Sequence, residues 1–292
     1  MLISGLSLGC IYALLALGFV IVFKATNVVN FAHASVVMLG AYLVAVWNDA
    51  LGFFGAVAAA AVVCAIVAAL MDIIFVRPLR RRRGGEDALA IITIGLNVLL
   101  GTWLTHKVGT DIKPTGAPWG SQASTLLGVS VPQTRIAAAI VALVLMGIFY
   151  AVFSRSDWGI SMRSTAADPE TAALMGIRLN RVAAGAWAVA GALAAIGGAF
   201  FTSFPAAGVS NSTGLLALGA IPAAVLGGLD STVGAVVGGL IIGVTVTFAA
   251  GYQDDIAFLG RGLSEVIPYA TLFVVLLWRP SGLFGSREVT RV

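Results

Sequence analysis

Arg163-Ser164-Thr165-Ala166-Ala167-Asp168-Pro169-Glu170-Thr171-Ala172-Ala173-Leu174-Met175-Gly176-Ile177 is a polar island between two long apolar segments. Its punctuation is that of a short helix lying outside a membrane. Asp168 is a good N-cap, and Pro169 suits the first helical position, where no N–H is missed. Glu170 complements the positive end of the helix dipole, and Gly176 can take the left-handed conformation that stops the helix. So short a helix is marginal in water, and its flanking loops carry few apolar residues. A partner protein on the cytoplasmic side is therefore expected to pack against it.

Outward from that island the chain is apolar: 59% of residues are hydrophobic, 10% are charged and 35 are glycine, with mean hydropathy +1.00. A soluble domain carries roughly a quarter charged residues. The composition is that of a polytopic membrane protein, and a bilayer admits only helices or closed barrels. Alternating ten-residue strands are absent, which leaves the all-α class. Apolar segments run over 2–23, 28–47, 52–76, 88–105, 136–153, 182–204, 215–229, 233–250 and 266–278. The stretches 215–229 and 266–278 fall below the ~20 residues of a straight span, so interrupted or re-entrant helices are expected, with about eight to ten crossings. No Gly/Ser-rich or Pro-rich linker divides the chain, so residues 1–292 read as a single transmembrane domain. Met1 is followed directly by apolar residues without a basic n-region, which argues against a cleavable signal peptide.

Positive charge orients the bundle. Arg77, Arg80–Arg83, Arg155, Arg163, Arg178, Arg181, Arg279, Arg287 and Arg291 fall between segments that share one side, while the opposite loops hold only Lys107, Lys113, Arg135 and Arg261. The positive-inside rule puts the first group in the cytoplasm, together with the Asp168–Gly176 helix. Arginines beside membrane spans account for the net charge of +4, so no nucleic-acid partner is needed. The outer loop 106–134, with Gly109, Pro114, Gly116, Pro118, Trp119 and Gly120, reads as irregular ordered structure, serving either docking or simple connection.

Enzymatic chemistry finds little support. Gly5-Leu6-Ser7-Leu8-Gly9 matches the G-x-S-x-G string but lies in the first membrane helix, where it reads as a small-xxx-small packing pair, as do Gly234/Gly238 and Gly239/Gly243. His33 and Ser35 are two apart and do not face each other on a helix. His33 and His106 lie in different regions and form no metal set, Cys10 and Cys64 sit inside apolar segments, and no P-loop is present. No catalytic residue, metal site or cofactor is assigned; if ATP drives the protein's work, another subunit hydrolyses it.

A second polar stretch, Lys24-Ala25-Thr26-Asn27-Val28-Val29-Asn30-Phe31-Ala32-His33-Ala34-Ser35, joins the first two apolar segments. It is either a tight turn or an interrupted helix in which Asn27, Asn30, His33 and Ser35 line a water-filled path. Gly227-Gly228-Leu229-Asp230-Ser231-Thr232 is a similar interruption, with Asp230 in a cytoplasmic turn or a gate.

Several strings recur together in one family. They are Gly9-Cys10-Ile11-Tyr12-Ala13-Leu14 with Val29-Asn30-Phe31-Ala32-His33, then Ala172-Ala173-Leu174-Met175-Gly176-Ile177, then Val225-Leu226-Gly227-Gly228 with Gly234-Ala235-Val236-Val237-Gly238-Gly239. Arg279-Pro280-Ser281-Gly282-Leu283-Phe284-Gly285 closes the set. In this order they make the chain resemble the branched-chain amino-acid ABC transporter permeases of the LivH type, over nearly its whole length. The resemblance implies an inner-membrane bacterial permease subunit, not itself an enzyme. It also implies a second, LivM-like permease, two cytoplasmic ATP-binding subunits and an extracytoplasmic substrate-binding protein. Branched-chain amino acids are the default cargo; relatives carry urea, short amides or aromatic acids. By the same resemblance Asp168, Pro169, Glu170, Thr171, Ala172, Ala173, Leu174, Met175 and Gly176 form a coupling helix for the ATPase. Glu170 to Gly176 keep the E-x-A-x-x-x-G skeleton, with Thr171 where the broader pattern has Ala. Ala34 and Asp230 stand where the family usually has Gly. An ion-coupled secondary transporter, the competing reading, would need an acidic residue in mid-span, whereas Asp72 and Asp230 lie near segment ends.

Overall fold

Leu2–Thr26 forms α1, which has neither Pro nor an internal charge before Lys24 and is apolar on every face. A helix apolar all round belongs in the interior of a bundle. Ile11, Ala13, Leu14, Leu15, Ala16 and Val20 are almost wholly buried, so α1 is the axis around which the other helices pack. The computed structural model describes residues 1–82, 85–116, 123–126, 129–203, 208–253 and 262–285. Arg83, Pro118, Trp119, Gly120, Arg261, Arg287 and Arg291 lie outside the described residues.

Helix α2, His33–Met71, is two antiparallel arms rather than one rod, because Gly52 breaks it with φ 67° and ψ 167°. Cys64 Sγ lies 3.9 Å from the carbonyl oxygen of Val36, 28 residues away, where a straight helix would separate them by roughly 42 Å. The two arms correspond to the segments 28–47 and 52–76 of the hydropathy pattern. A π-helical turn, Asp72–Val76, leads into α3, Arg77–Arg81, and then α4, Glu86–Val108.

The outer loop contains an antiparallel hairpin of β1, Ala123–Leu126, and β2, Val129–Pro132, which the sequence reading left as irregular. Val131 is the β-branched residue that seats it, being 1% exposed. There follow α5, Gln133–Arg155; α6, Asp157–Ala167; α7, Pro169–Leu174; and α8, Leu179–Ser203. The expected interruption between 215 and 229 occurs at Gly219, between α9, Thr213–Leu218, and α10, Ala220–Gly227. The chain ends in α11, Thr232–Gly251, and α12, Leu263–Trp278.

Small residues set the central spacing. A Cβ on Gly9 would lie 2.8 Å from Leu240 Cα, and one on Gly243 or Gly239 would collide with the backbone of Gly9 or Ala13. Helices α1 and α11 thus touch backbone to backbone, the close approach that substitutes for a hydrophobic driving force in lipid. Gly40 meets Ala195, and Gly191 meets the Cys64 carbonyl, seating α8 against both arms of α2.

Six helices are long and apolar enough to cross a membrane, the piece His33–Arg81 among them, and Thr213–Gly227 and Leu263–Trp278 are shorter apolar stretches. With the returning arm of α2 counted separately the long passes number seven, and the two shorter stretches bring the described residues to nine, an all-α polytopic bundle. Both ends are consistent with that number. Lys24, Asp230 and Ala166 meet at one end, while Ser4 and Arg135 hydrogen-bond at the other, placing the arginine-rich cytoplasmic loops together and the start of α1 outside.

Candidate coupling helix and the polar links above it

Asp168 turns the chain out of α6 in extended conformation and caps α7. Its Oδ1 accepts from the N–H groups of Glu170 at 2.9 Å and Thr171 at 3.1 Å, and its Oδ2 from the Thr171 hydroxyl at 2.5 Å. Those hydrogen bonds, the Thr171 hydroxyl first, hold the carboxyl below its ordinary pKa. At the other end Gly176 N–H donates to Ala173 O and Ile177 N–H to Ala172 O, both at 3.0 Å, with Gly176 at φ 87°. This is the Schellman arrangement, which any Cβ at Gly176 would strain. Both ends of this helix are thus closed by its own residues.

Between those caps the buried residue of α7 is Ala172, 4% exposed, while Leu174 and Met175 are 87% and 81% exposed. Ile177 then anchors the exit by packing beside the cluster of Phe153, Met162 and Val182. Two large apolar side chains on a rigid helix beyond the cytoplasmic end of the bundle form a surface suited to a protein partner.

Two links tie this helix to the membrane passes. Helix α6 is capped by Ser156, whose side chain accepts from Gly159 N–H, and it buries Met162 beneath α1. Arg163 donates to the Phe153 carbonyl, and its guanidinium and Lys24 Nζ lie 5.3 and 5.2 Å from the Phe153 ring centroid. Lys24 Nζ also donates to Asp230 O at 2.9 Å, joining the inner end of α1 to the α10–α11 turn. The second link starts from Asp72, whose residue is wholly buried. Its Oδ1 accepts from Arg80 at 2.6 Å and its Oδ2 lies 3.7 Å from Arg77. Arg77 in turn donates to Asn180 O, in the first turn of α8 just after α7. A carboxylate buried at the membrane edge is held by two cations, and one of those cations holds the exit of α7.

The residues of the α1–α2 connection lie at the same end. Asn27 is exposed, with φ 52°, and its N–H donates to Phe23 O, so it stops α1 as a left-handed cap. Asn30 and His33 are 2% and 1% exposed. The His33 ring packs edge-on against Phe19 at 4.5 Å and over Gly18, where a Cβ would lie 2.6 Å from its Nε2. Ser35 donates its hydroxyl to Ala32 O at 2.8 Å. Asn30 Oδ1 and His33 Nε2 have no hydrogen-bond partner among the described residues. The structure therefore brings Asn30, His33 and Ser35 into one buried link and leaves Asn27 at its mouth.

Residues of α4 that sequence reading passed over satisfy the freed backbone of this link. Thr93 accepts from Phe31 N–H and lies 3.2 Å from Val29 O, and Asn97 Oδ1 accepts from Ser35 N–H at 3.1 Å. A Thr and an Asn at i and i+4 in an otherwise apolar helix was the available signal, since such groups in lipid face a partner. No group of His, Cys, Asp or Glu able to hold a metal occurs among the described residues.

The comparisons with known proteins agree with this architecture. Residues 1–276 match the family described as the permease component of the branched-chain amino acid transport system. The high-affinity branched-chain amino acid transport system permease protein BraD of Pseudomonas aeruginosa is 31% identical, over all of this chain and 97% of its own length. LivH of Escherichia coli is likewise 31% identical, over 99% of this chain and 96% of its own. A probable LivH of Methanocaldococcus jannaschii is 28% identical over 93% and 88%. No solved structure matches. A bundle of apolar passes with a capped helix at its arginine-rich end, matched nearly end to end by these relatives, belongs to the branched-chain amino acid permease-component family.

Proposed function

We propose that this chain forms half of the translocation path of an ABC importer for branched-chain amino acids, working with a second, related permease. Two cytoplasmic ATP-binding subunits and an extracytoplasmic binding protein complete the system. The observation that carries the reading is the surface of α7: a helix capped at both ends, held to the bundle by Ala172, with Leu174 and Met175 exposed. Family membership supports the same assignment, and the names of its relatives support the cargo.

In this mechanism, closure of the ATP-binding subunits pushes α7. The push passes through Ile177 and the Asn180–Arg77–Asp72 link to α8 and α2, and through α6 to Lys24 and α1. The bundle then rocks as a body and opens its path to one side at a time. The binding protein supplies most of the affinity, so the path needs only weak polar contacts for a zwitterion. Of the α1–α2 set, Asn30, with its buried unpaired Oδ1, is the residue placed to meet a passing polar group as the helices separate; Asn27, His33 and Ser35 shape the link around it.

The test is uptake of radiolabelled leucine into proteoliposomes carrying the assembled importer, with ATP enclosed beside the ATP-binding subunits and loaded binding protein on the opposite face. Gly176→Pro and Glu170→Lys should abolish uptake while the subunit remains in the membrane; normal uptake by both would sink the lever. Asn30→Leu should slow uptake without releasing the ATP-binding subunits, and an unchanged rate would return Asn30 to a purely architectural part.

A further inference from the structure

A large cavity among the described residues lies at the opposite end from α7, and none of the residues discussed so far as functional lines it. It has a volume of about 760 Å³ and is bounded by α1, α5, α8, α9, α11 and α12. That is within the range of small-molecule sites, and several times the size of a single amino acid. Its mouth carries Ser4, Arg135, Ser264 and Glu265, and its walls Tyr12, Phe201, Leu216 and Tyr269.

Three features of this cavity point to one class of ligand. First, charges of opposite sign stand at the mouth on separate elements: Arg135 in the first turn of α5, donating to Ser4 Oγ, and Glu265 in the first turn of α12. Second, the walls below are aromatic and aliphatic, with Tyr12 and Phe201 edge-on at 5.9 Å. Tyr12 is two helical turns inward from Ser4, so the cavity runs roughly 12 Å into the membrane. Third, both helix irregularities of this half of the chain face it. Gly219, where the α9–α10 helix breaks and its N–H turns back to Leu216 O, and Pro268, inside α12, each line the cavity. Irregular backbone at membrane depth is tolerated where it borders a polar or water-filled space, and transporter sites are commonly built at such breaks.

We propose that this cavity is the outward-facing station at which the permease receives an α-amino acid with an apolar side chain. Arg135 takes the carboxylate, Glu265 takes the ammonium group, and the Tyr12–Phe201–Leu216 wall takes the side chain. The inference rests on the amino-acid import proposed above and adds the residues that receive the cargo. The open side of the cavity is closed by the second permease.

The test uses the assembled importer in proteoliposomes with leucine as the probe, together with an accessibility measurement that does not depend on transport. Arg135→Gln and Glu265→Gln should each lower leucine uptake by about tenfold or more, the expected loss when a charged hydrogen-bond partner is removed, while ATP hydrolysis stimulated by loaded binding protein persists. Arg135→Lys should restore part of the uptake. Thr247, on the α11 wall, replaced by Cys, should react with a charged methanethiosulfonate added from the outer side, and the modification should block uptake. Parent-level uptake by both Gln variants would overturn the assignment of the charges. A Thr247→Cys that stays unreactive would overturn the cavity as an aqueous station and leave it to lipid or a helix of the partner permease. If the parent complex imports no leucine while Thr247→Cys is labelled, the import reading fails and takes this proposal with it.

Discussion

Asp168 uses one carboxylate to satisfy two backbone N–H groups and one hydroxyl at the start of α7, and its titration has a definite sign. Its pKa is lowered in the folded chain, so its capping contribution is fully present above the ordinary carboxylate pKa and is lost as pH falls through the lowered value. Transport by the assembled importer should therefore show no pH dependence from this group between pH 5 and 8. Asp168→Asn, which still accepts from the same N–H groups, should stay near the parent rate, and Asp168→Ala should reduce it; equal rates for Asn and Ala would remove the cap from the account. Asp72 answers to a different rule. Buried between Arg77 and Arg80, it cannot lose its partners without leaving a carboxylate in a low-dielectric site, a change of about 3–5 kcal/mol when a buried pair is broken. Arg80→Ala should therefore lower the thermal stability of the purified subunit more than Arg82→Ala, whose side chain lies at the exposed end of α3. Similar losses for the two would mean that the Asp72 pair contributes nothing.

The glycines dictate how α1 meets α11. Adding a methyl group at Gly243 places it against the backbone of Gly9, so Gly243→Ala should destabilise the subunit by about 1–3 kcal/mol, as overpacking does. Gly147→Ala, on a face of α5 with nothing within 4 Å, should cost nothing, and a melt in detergent distinguishes the two. Much of this layer was legible from residue order. The small-xxx-small pairs, the separate segments 28–47 and 52–76 that become the two arms of α2, the shortness of 215–229 and both caps of α7 all follow from local chemistry. Helix α6 was not, because its eleven residues include only a few apolar side chains and its one strong signal, the Ser156 cap, sits within a run of arginine and serine. The β-hairpin was hidden for the same reason: its strands are four residues each, too short to establish an alternating pattern.

At the scale of the whole molecule, charge asymmetry gathered the arginine-rich loops on one side, while the number of crossings stayed open at about eight to ten because two apolar segments fall below the length of a straight span. What could not be read was which polar residues meet. Asn30 and His33 were visible as polar groups in an apolar setting, but their neighbours Thr93 and Asn97 are some 60 residues away in sequence, and the Arg135–Ser4 contact spans 131. Such pairings are fixed by helix packing, which leaves no local trace. The same packing leaves Leu174 and Met175 of α7 turned outward, and the account depends on what covers them. The most direct measurement is to place a photo-crosslinking amino acid at Met175 and irradiate membranes from cells expressing the full importer. The account predicts an adduct with an ATP-binding subunit, lost in Gly176→Pro. Adducts confined to lipid or to this chain's own bundle, from a complex that still imports leucine, would contradict it.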